Sequence, residues 1–188
     1  MGGDIIKTLI FNGSPRANGD TTFLISELVS KLKGEVRIVN TYKSKIEPCS
    51  DCRYCWEKAG CCIDDEMQSV YKDIIKCDNI VIASPVYFSE LTGSLLNVLS
   101  RLQCFYANRR FLGIQQIIKE KTGALILCGG GDGEPDKAEE TGITLLKMIR
   151  ARHIKTIFSL KTDTLSAKND VKAINDIAGL ADILNRYL

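Results

Sequence analysis

Apolar residues along the chain fall into short unbroken runs, and between the runs they recur at helical spacing. Residues 5–11, reading Ile5-Ile6-Lys7-Thr8-Leu9-Ile10-Phe11, predict a buried strand that stops at Asn12-Gly13. Phe23, Leu24, Leu28 and Leu32 share one helical face, predicting a helix over 21–33 closed by Gly34. Residues 36–39 make a second strand, and 41–63 form the longest irregular stretch, which in a compact domain points to function. Asp65 and Gln68 match a capping box opening a helix that runs to residue 76. A third strand over 79–84 halts at Pro85, and Leu95, Leu96, Leu99 and Leu102 mark a helix over 93–104. Residues 124–128 give a fourth strand, followed by a glycine-rich loop over 129–133. A helix over 136–151, a strand over 154–159 and a last helix over 167–187 complete the pattern.

Strand and helix alternate five times, and the central strands are continuous apolar runs. Such runs fit a parallel sheet buried on both faces and joined by right-handed crossovers. The expected fold is α/β: a flavodoxin-like three-layer sandwich, with a five-stranded parallel sheet of order 2-1-3-4-5 and helices on both faces, forming one domain over 1–188. Ligands in that order sit beyond the carboxyl ends of the strands, where strands 1 and 3 diverge. The loops after strands 1, 3 and 4 therefore carry the functional information.

Composition narrows the classes. With 188 residues, 45% hydrophobic and 26% charged, the chain has apolar material for a core that needs no disulfide framework. Net charge is +2, and basic pairs such as Arg109-Arg110 are too small for a nucleic-acid footprint. No apolar run is long enough to cross a bilayer. Met1-Gly2-Gly3-Asp4 lacks the basic start of a secretory signal, and Ile6 stands where myristoylation needs Ser or Thr. A cytoplasmic location is expected, with the eight cysteines held as thiols.

The loop after strand 1 collects donors where a helix begins. Gly13 and Gly19 allow close backbone approach, Ser14, Thr21 and Thr22 bring hydroxyls, and Arg16 offers a guanidinium fork. Unpaired N–H groups and the helix dipole add attraction for an anion. There is no Walker ending and no G-x-G-x-x-G, so a monophosphate fits best. After strand 3, Pro85 turns the chain, Tyr87 and Phe88 supply flat apolar surface, and the N–H groups of 86–88 can address a ring edge. Gly130 and Gly131, in the loop after strand 4, let backbone approach a planar ligand.

Gly13-Ser14-Pro15-Arg16 with Gly19-Asp20-Thr21, and Ala83-Ser84-Pro85-Val86-Tyr87-Phe88, resemble the two signatures of the NADPH-dependent FMN reductase family, over essentially the whole chain. The resemblance implies that Ser14, Arg16, Asn18, Thr21 and Thr22 hold the FMN phosphate, and that Pro85, Val86, Tyr87 and Phe88 border the flavin ring. It also implies NAD(P)H as electron donor, a small-molecule acceptor such as a flavin or quinone, and a homodimer or dimer of dimers. The family commonly has asparagine where this chain has Asp20, so that side chain's role is not carried over. No side chain is expected to act as acid or base, because the cofactor carries the chemistry.

Cys49, Cys52, Cys55 and Cys61 stand as C-x2-C-x2-C-x5-C and can converge on one centre without long-range folding. The run approaches ferredoxin-type spacing, although no proline follows the last cysteine. Zinc, a thiol–disulfide pair and plain packing are the other readings, zinc less so because its cysteines usually come as separated pairs. The run also resembles the iron–sulfur flavoprotein branch of the same family, which implies a [4Fe-4S] cluster on Cys49, Cys52, Cys55 and Cys61, with Cys62 competing as fourth ligand. Under that reading the chain relays electrons between FMN and a redox protein such as ferredoxin. A zinc-stabilised or redox-sensing module without turnover is the reading from another class.

Other residues carry plainer expectations. Cys77, Cys104 and Cys128 read as small core fillers, His153 as an edge residue and Asp64-Asp65-Glu66 as charge at a helix start. Arg101 reads as a surface or subunit contact. Tyr106, Arg109, Arg110 and Phe111 take no assigned element and are candidates for the entry of a second substrate.

Overall fold

The computed structural model describes residues 5–131 and 133–186. The expectations for Met1–Asp4, and the parts of those for 129–133 and 167–187 that fall on Asp132 and Tyr187, lie outside the described residues. In chain order the elements are β1 (Lys7–Asn12), α1 (Asp20–Val29), β2 (Glu35–Asn40), α2 (Tyr54–Glu57), α3 (Met67–Lys76) and β3 (Asn79–Tyr87). There follow β4 (Glu90–Leu91), α4 (Gly93–Ser100), α5 (Gln103–Leu112), β5 (Lys121–Gly129), α6 (Asp136–Met148), β6 (Ala151–Leu160), a 3₁₀ turn at Ala167–Asn169 and α7 (Val171–Leu184). The parallel strands run in the order β2-β1-β3-β5-β6, and β4 is a short sixth strand paired antiparallel to β3. Leaving that hairpin strand aside, the order is the expected flavodoxin-like one.

Strand pleating explains the two cores. Leu9, Phe11, Ile80, Ile82, Leu125 and Leu127 pack on one face with α3 to α6, while Ile10, Val81, Ala83, Ala124 and Ile126 pack on the other with α1 and α7. Alternate residues of one strand thus enter opposite layers. Both faces being covered is why the strands read as unbroken apolar runs. Each fully buried leucine on α1, such as Leu24 or Leu28, contributes about 1.5–3 kcal/mol of burial. Among the described residues no helix is long and apolar enough to cross a membrane.

Several boundaries differ from the expectation, for local reasons. Helix α1 ends at Val29 rather than residue 33, and Gly34 serves the next turn instead. Gly34 takes φ +87°, and a Cβ there would lie 2.2 Å from the Ile6 carbonyl oxygen. Strand β3 does not halt at Pro85. It passes through Pro85, paired with Cys128, and folds back through Phe88 and Ser89, both at positive φ, into β4. Its last residue paired with β1 is Ala83, opposite Asn12, so Pro85 lies where the strand has become an edge and a missing N–H is tolerated. The helix expected over 93–104 is two helices, broken at Arg101 and Leu102 by tight i→i−3 bonds from Arg101 N to Val98 O and Leu102 N to Leu99 O. Tyr106, Arg109, Arg110 and Phe111 belong to the second of these, α5.

Candidate functional site

At the carboxyl ends of β1, β3 and β5 the chain builds a loop from its own backbone. Gly13 N donates to Ala83 O at 2.8 Å, and the Asn12 side chain accepts from Ser14 N at 2.9 Å while donating to Asn40. Gly13 has no room for a side chain: a Cβ would meet Thr92 Oγ1 at 2.9 Å, and that hydroxyl donates to Gly13 O. The turn then closes on itself. Arg16 N donates to Ser14 Oγ at 3.2 Å, and Thr22 Oγ1 donates to Arg16 O at 2.8 Å. The hydroxyl protons of Ser14 and Thr22 both go to Arg16 O, so they shape the loop more than they reach outward.

What stays free is the helix end and the guanidinium. Gly19 opens α1 in extended conformation and no side chain caps it, leaving first-turn N–H groups facing outward. Arg16 is exposed and makes no ion pair among the described residues. Asp20, in the first turn, would repel an anion, but its carboxylate turns away. It accepts from Ala167 N at 2.7 Å and Ser166 Oγ at 2.9 Å, capping the 3₁₀ turn instead.

A cleft of about 160 Å³ opens here. Ser14, Pro15, Arg16, Gly19, Asp20 and Thr21 line one side, Pro85, Val86 and Tyr87 another, and Cys128, Gly130, Thr162 and Asp163 the rest. Asn18 and Thr22 face a second cavity of about 270 Å³, beyond Gly19 and Asp20, with Ser166 and Lys168. Phe88 lies outside both, fully exposed at the hairpin turn with φ 52°. Gly130 packs against Asp163, where a Cβ would come within 2.5 Å of Oδ1, whereas Gly131 borders open space. The buried Cys128 thiol is pushed up to about 12 by its burial, so at neutral pH it lines the cleft as an uncharged group.

The cysteine segment is held from beneath. Arg101, expected at the surface, has no exposed side-chain area. Its guanidinium donates to Glu47 O at 2.9 Å, to Asp65 Oδ2 at 2.7 Å and to Ile63 O at 3.3 Å, joining both ends of the segment. Burial works against the Asp65 charge, but Arg101 and the N–H groups of Glu47 and Met67 outweigh it and hold the carboxyl below its ordinary range. Gln68 does not reach back to close a capping box. Its amide donates to Cys61 O and Ile63 O, serving the cysteine segment instead. Asn108 on α5 donates to Cys55 O at 2.7 Å and accepts from Gly60 N at 2.9 Å, so the middle of the segment is fixed too.

Cys49, Cys52, Cys55 and Cys61 line one cavity together with Arg101 and Cys104, and Cys62 does not. Cys62 instead lies beside Cys52 at the surface. As arranged, the cavity is about 20 Å³, room for one water. Among the described residues no three His, Cys, Asp or Glu side chains are close enough to share one metal ion. Four thiols lining one cavity, with the Arg101 Nε–H buried and unpaired, are nevertheless of the chemical type that ligates an iron–sulfur cluster. Loading one requires the sulfurs to spread.

Residues 6–164 match the family model described as NADPH-dependent FMN reductase. The chain belongs to that family. Within the wider set of FMN reductase relatives it is 32% identical over 129 residues to iron-sulfur flavoprotein MJ0731 of Methanocaldococcus jannaschii, covering 66% of this chain and 62% of that protein. It is 29% identical over 128 residues to an iron-sulfur flavoprotein of Methanosarcina thermophila, covering 66% and 64%. The chain thus spans less than two thirds of the length of these relatives. An FMN-dependent NADH-azoreductase from Bacillus anthracis, solved in complex with FMN, shares the fold at TM-score 0.70 and 13% identity, covering 96% of this chain and all of that one.

Of the residues expected from the sequence to bind the cofactor, Ser14, Arg16, Thr21, Pro85, Val86, Tyr87 and Gly130 meet at the cleft, and Asn18, Thr22, Phe88 and Gly131 do not line it. Sequence reasoning missed Thr162, Asp163 and the placement of Cys128, as well as Arg101, Asn108 and Gln68 as supports of the cysteine segment. Gly130 was the only available signal for Asp163. Nothing local marked Arg101, since an arginine amid leucines reads as the polar face of a helix.

Proposed function

We propose that this chain is a flavoprotein oxidoreductase that binds FMN at the β1–β3–β5 cleft and passes electrons from NAD(P)H to a small acceptor such as a flavin or quinone. The carrying observation is the uncapped start of α1 beside an unpaired Arg16, with Asp20 drawn away to the 3₁₀ turn. These groups attract a phosphate monoester through N–H dipoles and a charged fork. Ser14 and Thr22 hold the turn in the shape that presents them. Asn18 lines the neighbouring cavity on the far side of Gly19 and Asp20, not the cleft.

Ligand pockets usually run to about 300–1,000 Å³. A cleft of about 160 Å³ is smaller than that, so it would hold only part of FMN, with Ser14, Arg16 and Thr21 placed to take the phosphate and Pro85, Val86 and Tyr87 to border the ring. When bound, FMN supplies hydride acceptance and one- or two-electron release. The chain's own part is to anchor the phosphate, present backbone from β3 to the ring, and keep Cys128 neutral beneath it. Gly130, backed by Asp163, lets backbone close on the ring, and Gly131 continues that open edge. Phe88 and the half-exposed Tyr87 leave apolar rim beside the cleft, which a second copy of the chain would cover in a homodimer. A cytoplasmic location belongs to the same reading.

A second reading is favoured by the cavity shared by Cys49, Cys52, Cys55 and Cys61 over the buried Arg101. Here the four thiols hold a [4Fe-4S] cluster that exchanges single electrons with FMN and with a redox protein of the ferredoxin type. The cavity favours Cys61 over Cys62 as the fourth ligand. Purification without oxygen, followed by absorbance and iron and zinc analysis, tests both readings. Flavin bands alone support the reductase, and flavin plus iron with broad absorption near ~400 nm supports the relay. Protein that takes up no FMN sinks both.

A further inference from the structure

The sulfurs of Cys52 and Cys62 lie 3.4 Å apart at the surface, and both residues are exposed. Cys52 stands between Asp51 and Arg53, both at positive φ, so the backbone makes a tight excursion on either side of it. The surrounding segment is fixed by Arg101, Gln68 and Asn108, which hold the carbonyls of Glu47, Cys61, Ile63 and Cys55. Closing the gap therefore asks for side-chain rotation, with the segment's frame already in place. Cys62 alone of the five segment cysteines is left out of the shared cavity, so it has no competing duty there.

We propose that Cys52 and Cys62 form a reversible disulfide, a redox modification site on the cysteine segment, with a small-molecule disulfide as oxidant. In the first step one of the two sulfurs attacks the external disulfide, forming a mixed disulfide and releasing one small thiol. In the second, the other sulfur attacks the mixed bond, closing Cys52–Cys62 and releasing the second small thiol. The cysteine pair loses two protons and two electrons, and the external disulfide is reduced to two thiols. Both positions being solvent-facing lets the oxidant reach them, as exchange requires.

The bridge takes Cys52 out of the set of four that faces the cavity. A consequence, resting on the cluster reading above, is that oxidised protein cannot accept iron until it is reduced. Bridge and cluster are alternative fates of the same sulfur.

The test uses the full chain, purified without metal and equilibrated with mixtures of reduced and oxidised glutathione, then trapped with acid, alkylated and digested with trypsin. Cleavage after Arg53 and Lys58 puts Cys49 and Cys52 on one peptide and Cys61 and Cys62 on another, so a bridge appears as a cross-linked pair in which one cysteine of each escapes alkylation, and fragmentation identifies them as Cys52 and Cys62. The expected result is that species, lost in Cys62→Ser and reversed by excess reduced glutathione. A bridge at any other pair, glutathione retained on one cysteine without closure, or closure persisting in Cys62→Ser would overturn the proposal. Iron reconstitution supplies the separate arm. Reduced parent and Cys62→Ser should load iron alike, and oxidised parent should not. Should the bridge form while reduced protein takes up no iron, the cluster reading fails and the disulfide stands.

Discussion

Under the proposed function, Arg16 is the residue on which phosphate recognition would turn. Its guanidinium is exposed and free, whereas the hydroxyls beside it are engaged in the loop. A hydrogen bond to a charged group is worth about 1.5–3 kcal/mol, so Arg16→Ala should weaken FMN binding by roughly tenfold or more. Titration followed by quenching of flavin fluorescence measures this, and unchanged affinity would remove Arg16 from the site. Cys128 offers a contrast in reactivity. With its pKa pushed up to about 12, against 9.0 for an unperturbed thiol, its thiolate fraction at neutral pH is smaller by roughly a thousandfold. In fully reduced native protein, iodoacetamide should label the exposed Cys49, Cys52 and Cys62 well before Cys128. Mass mapping of the alkylated peptides over time reads the order. Early labelling of Cys128 would mean that the thiol is not buried as described.

At the scale of elements, the junction of α4 and α5 matters most, because it places Arg101 under the cysteine segment. Removing one partner of a buried charge pair leaves the other uncompensated, which typically costs about 3–5 kcal/mol. Arg101→Met should therefore lower the urea midpoint strongly, and it should expose the segment over 47–65 to limited proteolysis. The double variant Arg101→Met with Asp65→Leu should recover part of the loss, since no charge is then stranded. A double variant as unstable as the single would show that Arg101 acts through its backbone-directed bonds to Glu47 and Ile63 instead. The junction was not legible beforehand. The leucines of 93–104 keep helical spacing across it, and the break comes from a polar side chain that finds its partners far away in sequence. The hairpin through Phe88 and Ser89 was equally hidden, for two residues at positive φ without glycine give no turn signal.

For the whole molecule, acid is the sharpest probe. Asp65 has a folded pKa below its ordinary value of 3.8, so its stabilising contribution is complete above that value and is lost as pH falls through the lower folded one. Thermal midpoints measured from about pH 6 down to pH 2 should fall more steeply in the parent than in Asp65→Asn, which carries no such titration. Parallel curves would discount Asp65 as an acid-sensitive tie. Assembly is the other whole-molecule property. Light scattering should give twice the chain mass, and Phe88→Ser, which removes a fully exposed aromatic from the cleft rim, should shift the sample toward monomer. A parent that runs as monomer at all concentrations would reject the homodimer. Periodicity and turn chemistry determined the strand order, the polar loop that opens α1 and the compact cysteine run, because those depend on neighbours a few residues apart. Only the packed structure decided that Asp20 turns to Ala167, that Asp163 backs Gly130, and that Arg101 joins both ends of the cysteine segment. Each of these contacts spans tens of residues, and which polar group meets which is chosen by the geometry of closing layers over a sheet.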